Sequence, residues 1–212
     1  MMKTAKRGQR PLLTVQKIAL AAIEIANKEG LESLSMRKIG EKIGVEAMSL
    51  YHHIPSKEKL MEAMVIEMVL HLPQINEDQG WKSYLAQIAE HWRELARKHP
   101  GTFPLLATRA QTPKPLLERY SSMIRVMLAN GFTHERGAMA LNSFFFGLNG
   151  YLLAAGAPPV FREIPEPAHL PEINSEHMKE LSKIPATVWN FASDTIFHRH
   201  IAFLLAGVEH GN

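Results

Sequence analysis

The chain has 212 residues, 46% hydrophobic and 21% charged, so it is long enough to bury a core and has the composition of a globular protein. It contains no cysteine, which excludes disulfides and thiol catalysis, and it shows neither an apolar secretion signal nor a run of about 18 apolar residues. We therefore expect a cytoplasmic protein without a membrane span. Its formal net charge of +3 is modest.

Two helices joined by a tight turn are predicted within residues 35–54, after a first helix that Thr14 caps and Gly30 follows. Gly44 can take the left-handed conformation that ends a helix, and Gly40 lets two helices approach closely. The apolar anchors of this unit are Ile39, Ile43, Val45, Leu50 and Ile54. The pattern is that of a helix-turn-helix, which places its second helix in the major groove of DNA.

After this unit Pro55 stops one helix and Ser56 caps the next, which is expected to link a DNA-binding head to the rest of the chain. Over about residues 14–70 the chain resembles the DNA-binding domain of tetracycline-repressor-type (TetR family) transcriptional regulators. The residues that carry the resemblance are Gly30, Leu34, Ile39, Gly44, Val45, Leu50, Tyr51, His53, Lys57 and Leu60. The resemblance implies an all-α fold, with an N-terminal three-helix helix-turn-helix domain and a larger helical domain for ligand binding and dimerisation.

Carried over residue by residue, the resemblance assigns DNA contacts to Met36, Arg37, Ala47, Met48, Ser49, Tyr51, His52, His53 and Lys57. Of these, Arg37, Tyr51 and Lys57 suit phosphate groups. The recognition helix lacks the Arg, Gln and Asn that usually read bases, so DNA shape, water or the N-terminal arm would contribute to specificity. Tyr51 and His53 have an alternative role, which is packing against the fourth helix.

Basic residues are concentrated at the start of the chain. Residues 1–72 carry 11 Lys and Arg against 8 acidic residues, whereas residues 73–212 carry 13 of each. Residues 1–17 hold five basic residues and no acidic one. Such an arm beside a helix-turn-helix can follow the phosphate backbone, and a solvated tail is the other interpretation.

The rest of the chain also predicts helices, and we place the domains at residues 1–72 and 73–212. After a polar linker, helices are predicted at 81–98, 102–108, 113–130, 133–155 and 186–209, with a proline-rich loop at 156–186. The helix at 133–155 is apolar almost all round, so it must be buried on more than one side. Small residues form a stripe on the last helix: Ala192, Thr195, Ala202 and Ala206. A two-fold homodimer through these two helices is what the resemblance implies.

No motif for catalysis, phosphate binding or metal binding occurs, so we expect neither an enzyme nor a cofactor. His52 and His53 are adjacent in a helix and point about 100° apart, which excludes a shared metal ion. The tetracycline-repressor subgroup binds a magnesium–drug chelate through a His and a Glu, and Leu105 and Ala154 stand at the matching places. Neither side chain can bind a metal, so that inducer is not expected.

Large side chains from several helices of the second domain are predicted to line a pocket: Trp92, Phe103, Met123, Met127, Phe145, Asn149 and Trp189. Aromatic and Met side chains suit an adaptable apolar cavity, and Asn149 can anchor a polar group of a ligand. The other interpretation is a core that these side chains simply fill.

Together these features predict a ligand-responsive transcriptional repressor that binds a palindromic operator as a homodimer and is released by an apolar small molecule. Two alternatives stay open: a ligand-independent DNA-binding protein of the same fold, and a small helical enzyme with a vestigial head. A DNA footprint separates both DNA-binding proteins from the enzyme. A ligand that weakens DNA binding separates the first interpretation from the second.

Overall fold

The computed structural model describes residues 12–108, 113–156 and 183–210. Within these ranges the regular secondary structure is entirely helical, which confirms the predicted all-α class. The helices are α1 (Val15–Glu29), α2 (Met36–Ile43), α3 (Ala47–Tyr51), α4 (Lys57–Leu70), α5 (Trp81–Lys98), α6 (Phe103–Thr108), α7 (Lys114–Ala129), α8 (His134–Gly156) and α9 (Asp194–His210), with 3-10 turns at Leu31–Ser33 and Ala186–Trp189. The chain divides into two compact units, Met1–His71 and Leu72–Asn212.

The first unit is built around α1, which packs against α2 and α4. Thr14 caps α1 as predicted, because its side chain accepts a hydrogen bond from the Lys17 amide at 3.1 Å. The large core side chains are at most 1% exposed: Ile18, Ile39, Leu50, Ile54 and Met64. Burial of each such side chain contributes about 1.5–3 kcal/mol, so this shared core holds the small unit together.

The turn between α2 and α3 has the predicted geometry. Gly44 lies in the left-handed region, with φ = 75° and ψ = 37°, where glycine is favoured because it has no Cβ. Gly40 is buried, and a Cβ at this position would lie 2.6 Å from the carbonyl oxygen of Val45. Gly40 therefore determines how closely the turn and the start of α3 approach α2.

The second unit is centred on α8, which packs against α5, α6, α7 and α9. Leu141, Phe144 and Leu148 form the fully buried face of α8. At Gly147 a Cβ would lie 2.5 Å from a methyl group of Leu204, so the absence of a side chain lets α9 approach α8. By length and composition α8 is apolar enough to cross a membrane, with a mean hydropathy of 1.3, a property that core helices of soluble proteins share.

The prediction of an unbroken last helix from Ala186 is wrong in its first part. A 3-10 turn spans Ala186–Trp189, and α9 begins only at Asp194. Trp189 and Ala192 therefore precede α9 and do not share a stripe with its residues. The buried face of α9 consists of Phe197, Ile201 and Val208.

Tertiary contacts explain this late start. The Tyr151 hydroxyl donates a hydrogen bond of 2.7 Å to the Phe191 carbonyl, which holds the segment before α9 against α8. At the first residue of α9, the Asp194 carboxylate accepts hydrogen bonds from Arg93 and Arg97 of α5. The positive end of a helix favours such a carboxylate. Helix spacing in the sequence carries no information about these partners, which lie 40 to 101 positions away.

Two predicted segments fall mostly outside the described residues. These are the basic arm at residues 1–17, of which 12–17 are described, and the proline-rich loop at 156–186, of which 156 and 183–186 are described.

Candidate DNA interface and ligand cavity

The nine predicted DNA-contact residues lie on α2, on α3 and just after it, and at the start of α4. Seven of them are exposed, whereas Met36 and Ala47 are half-buried. Met48 is 69% exposed and Tyr51 45% exposed, although both carry large apolar groups. Thus α3 presents an uncovered face, as a helix that enters a DNA groove must. The contacts themselves stay predictions.

Two positions beside α3 suit phosphate groups. Lys57 is exposed at the first residue of α4, where unpaired backbone amides favour an anion. The Arg37 side chain is 83% exposed and lies 3.5 Å from the Glu41 carboxylate on the same helix. An exposed ion pair of this kind contributes little to stability, so Arg37 can exchange it for a phosphate at small cost.

Two further ion pairs hold α2 against α1 and so orient the helix-turn-helix. Lys38 lies 2.8 Å from Glu29, and Lys42 lies 2.6 Å from Glu24. In each pair the hydrogen bond from the lysine holds the pKa of the glutamate below its usual value. These two lysines are therefore engaged within the protein, in contrast to the exposed Lys57.

A cavity of about 420 Å³ lies among α5, α6, α7 and α8. Its lining is aromatic and aliphatic with a few polar groups: Trp92, Leu106, Ala107, Leu116, Leu117, Arg119, Tyr120, Met123, Asn142, Phe145, Phe146 and Asn149. The rings of Trp92 and Phe145 are in contact, with centroids 5.3 Å apart. Volumes of roughly 300–1,000 Å³ and predominantly apolar walls are typical of small-molecule sites.

The structure brings four of the seven predicted ligand-binding residues to this cavity: Trp92, Met123, Phe145 and Asn149. Phe103 instead lines a separate cavity of about 470 Å³ beside Tyr151. Met127 is buried next to Gly137, where an added Cβ would lie 3.2 Å from its own Cβ. Trp189 lines neither cavity, because the helix that was predicted to carry it starts only at Asp194. The binding roles of all seven stay predictions.

Residues on α7 were missed by the sequence analysis. Leu116, Arg119 and Tyr120 precede Met123 by seven, four and three positions, the spacing that puts residues on one helix face. Extending the prediction of Met123 along its own helix would have found them.

Arg119 joins the cavity wall to the linker before α5. Its guanidinium donates hydrogen bonds to the carbonyls of Leu72, at 2.7 Å, and Pro73, at 3.4 Å. Burial lowers the pKa of Arg119 from its usual value, and the Tyr84 hydroxyl acts in the opposite direction. A change at the cavity wall therefore has a direct route to residues 72 and 73.

An apolar surface is exposed along α8 and α9. Met139 is 64% exposed, Phe146 75% and Phe203 78%. Met139 and Phe203 line a groove of about 510 Å³ between the two helices, and Ala202 and Ala206 are exposed nearby on α9. Several large apolar side chains exposed on neighbouring helices are typical of protein–protein contacts.

In the part of the chain that the structure describes, no group of three or more His, Cys, Asp or Glu side chains could hold a metal ion. Leu105 is buried in α6, and Ala154 is exposed near the end of α8. Both carry only hydrocarbon, so these two positions offer no metal ligand.

Comparison with known proteins connects this fold to a family. The model of bacterial regulatory proteins of the tetR family matches residues 18–64. The chain is 28% identical over 159 residues to the transcriptional repressor DrrR1 of Streptomyces coeruleorubidus, and 30% identical over 129 residues to the class D tetracycline repressor of Escherichia coli. These alignments cover 74% and 58% of the chain but only 57% of each relative.

A solved structure shares the fold over nearly the whole chain. This is the TetR family protein ActR of Streptomyces coelicolor in complex with actinorhodin, which superposes with a TM-score of 0.77 at 17% identity. The superposition covers 95% of the chain and 97% of ActR, so it includes both units. At this identity the likeness concerns the fold alone.

Proposed function

Because the chain belongs to the TetR family of transcriptional regulators, we propose that it is a ligand-responsive repressor that binds a palindromic operator as a homodimer and is released by an apolar small molecule. The chain is a DNA-binding regulator and not an enzyme, as its relatives indicate. Both relatives above are named as repressors, which supports repression as the mode of action. The 420 Å³ cavity carries the ligand-responsive part of the proposal.

The proposed DNA-binding domain is residues 1–72, with α3 as the recognition helix. The uncovered face of α3 and the exposed Lys57 beside it support this assignment. A second copy of the head, related by a two-fold axis, would meet a major groove about 34–36 Å away, so the operator would be an inverted repeat.

The proposed ligand-binding and dimerisation domain is residues 73–212. The exposed side chains of Met139 and Phe203 along α8 and α9 support dimerisation, because large apolar side chains are stabilised when a partner removes them from water. Arg119 supports coupling between ligand and DNA, since it lines the cavity and holds the linker carbonyls. In this mechanism a bound ligand shifts Arg119, the linker follows, and the two heads take a spacing that misfits the operator.

The test uses DNA duplexes that the 212-residue chain selects from a random pool. We expect the selected sequences to be inverted repeats, and we expect Lys57→Ala to weaken binding to all sequences alike and to reduce the salt slope by about one. Lys59→Ala is the matched control, because Lys59 lies on the same helix but pairs with Glu62 at 2.6 Å. An unchanged salt slope in Lys57→Ala would show that Lys57 does not contact a phosphate. If the chain selects no sequence from the pool, the proposal that it binds an operator is wrong.

The second candidate is a ligand-independent DNA-binding protein of the same fold. Met127 favours it, because this predicted ligand-binding residue is buried in the core and lies outside the cavity. It predicts sequence-specific DNA binding that no cavity ligand changes.

A further inference from the structure

Two residues in the wall of the 420 Å³ cavity each carry a buried polar atom without a hydrogen-bond partner. Among the described residues, three buried side-chain nitrogen or oxygen atoms have no hydrogen-bond partner: Nε2 of Gln79, Nε1 of Trp92 and Oδ1 of Asn149. Trp92 and Asn149 both line the cavity, and Gln79 does not. Buried polar groups are nearly always paired, so two exceptions at one cavity need an explanation.

The chemistry of the two atoms is complementary. The Trp92 indole nitrogen can only donate a hydrogen bond, and the Asn149 amide oxygen can only accept one. The amide orientation of Asn149 follows from its neighbour, because its Nδ2 donates to the Ala107 carbonyl at 3.4 Å. The opposite orientation would set two oxygen atoms against each other, so Oδ1 is the atom left for a ligand.

The surrounding wall defines the rest of the ligand. Trp92, Tyr120, Phe145 and Phe146 supply aromatic rings, which favour stacked or edge-on contacts with another ring. Asn149 is only partly buried, and its hydrogen bond to Ala107 is long at 3.4 Å. A small rotation about its terminal torsion therefore keeps the orientation of the amide and exposes Oδ1 to a bound molecule.

We propose that the ligand of this cavity is an aromatic compound that carries both an acceptor oxygen, such as a carbonyl, which takes the hydrogen bond of Trp92 Nε1, and a hydroxyl or N–H donor, which meets Asn149 Oδ1. This inference rests on the proposed ligand-binding role of the cavity. It adds a requirement for two polar groups on the ligand, set by Trp92 Nε1 and Asn149 Oδ1. The apolar walls alone would accept any hydrocarbon of suitable size.

The experiment measures the affinity of the chain for four compounds by calorimetry, without DNA. All four share a naphthalene ring system, the frame, and they differ in their polar groups: acetylnaphthol carries an acetyl and a hydroxyl group, acetylnaphthalene and naphthol carry one of the two, and ethylnaphthalene carries neither. The same set on benzene and biphenyl frames varies the spacing of the two groups. On the frame that fits, we expect the acetyl group and the hydroxyl group each to strengthen binding about tenfold over ethyl or hydrogen, the size of an ordinary hydrogen bond.

Substitutions at Trp92 and Asn149 show which residue causes each gain in affinity, the one from the acetyl group and the one from the hydroxyl group. Trp92→Phe keeps a ring but removes the N–H, so the gain from the acetyl group should vanish and that from the hydroxyl group should persist. Asn149→Ala should do the reverse. Trp81→Phe and Asn190→Ala, which both lie outside the cavity, are the matched controls and should leave both gains intact.

The compound series on the unmodified chain keeps the inference testable even if a variant does not fold. Equal affinity for all four compounds on every frame would show that the two polar atoms do not bind the ligand. The proposed function, a regulator that responds to an apolar ligand, would not be affected by that result. Binding of none of them would also overturn it, whatever the chain does on DNA. Failure of the regulatory function appears in a different measurement, as operator affinity that no bound compound changes.

Discussion

At the residue scale, two glycines determine the helix-turn-helix for different reasons. Gly44 is required by its backbone conformation, since φ is 75°, whereas Gly40 is required by space. Gly150, in the interior of α8, has no atom within 4 Å of an added Cβ and an ordinary helical backbone. The three positions therefore differ in what a methyl group would do.

Gly40→Ala should destabilise the chain, because its Cβ would lie 2.6 Å from a backbone oxygen that cannot move without moving the turn. We expect a loss of about 1–3 kcal/mol, the range found for overpacked cores, with weaker DNA binding. Gly150→Ala is the control and should gain up to about 1 kcal/mol from helix propensity. Thermal unfolding of both variants checks this, and equal melting temperatures would contradict the steric role of Gly40.

Burial of two histidines, His91 and His99, also makes the free energy of unfolding depend on pH. Burial lowers the pKa of His91, to which Arg119 adds, and it lowers the pKa of His99. Unfolded, both titrate near 6.5, so below that pH the unfolded chain binds protons that the folded chain resists. Their contribution to stability is therefore complete above pH 6.5 and is lost as the pH falls toward the lowered pKa values.

We expect the melting temperature to fall between pH 7 and pH 5.5, before the carboxylates titrate, and to fall less in the double variant His91→Gln, His99→Asn. Thermal unfolding across this window is the measurement. The same decrease in the variant and the unmodified chain would exclude these two histidines as its cause.

At the element scale, the apolar outer surface of α8 and α9 is the feature that one copy of the chain leaves uncovered. On α9 the buried face contains Phe197 and Ile201, while Ala202, Phe203 and Ala206 point outward. Exposed small residues beside a large ring let a second helix pack closely, which is the geometry that the proposed dimer needs.

Ala206→Glu should yield monomers with poor operator affinity, because it would bury a charge against the partner helix. Ser121→Glu is the control, since it adds the same charge at an exposed helix position one turn before Arg125. Analytical ultracentrifugation at micromolar concentration gives the answer. If the unmodified chain sediments as a monomer, the dimer proposal fails.

At the scale of the whole molecule, the proposed regulation depends on a connection between the cavity and the linker that follows α4. Arg119 provides it through hydrogen bonds to the Leu72 and Pro73 carbonyls. The bidentate guanidinium holds two carbonyls at once, which a lysine ammonium at the end of a flexible stem does not reproduce.

Arg119→Lys should uncouple ligand from DNA. In the unmodified chain, a coupling of about 1–3 kcal/mol would weaken operator binding about 5–150-fold when ligand is bound. The ratio of operator affinity without ligand to that with ligand should approach one in the variant. Tyr120→Phe, on the same wall but without a bond to the linker, should keep the ratio. Operator affinity is measured with and without the tightest-binding naphthalene compound, and an unchanged ratio in Arg119→Lys would contradict the route through residues 72 and 73.

The sequence by itself determined the helix class, the helix-turn-helix and most helix boundaries. Those features depend on local causes: caps such as Thr14 and Ser56, the left-handed Gly44 and apolar residues at helical spacing. Only the tertiary structure decided where α9 begins, because that depends on Tyr151, Arg93 and Arg97, which are distant in sequence. It also decided which of the large side chains enclose one cavity, since a helical pattern shows that a side chain is buried but not what it is buried against.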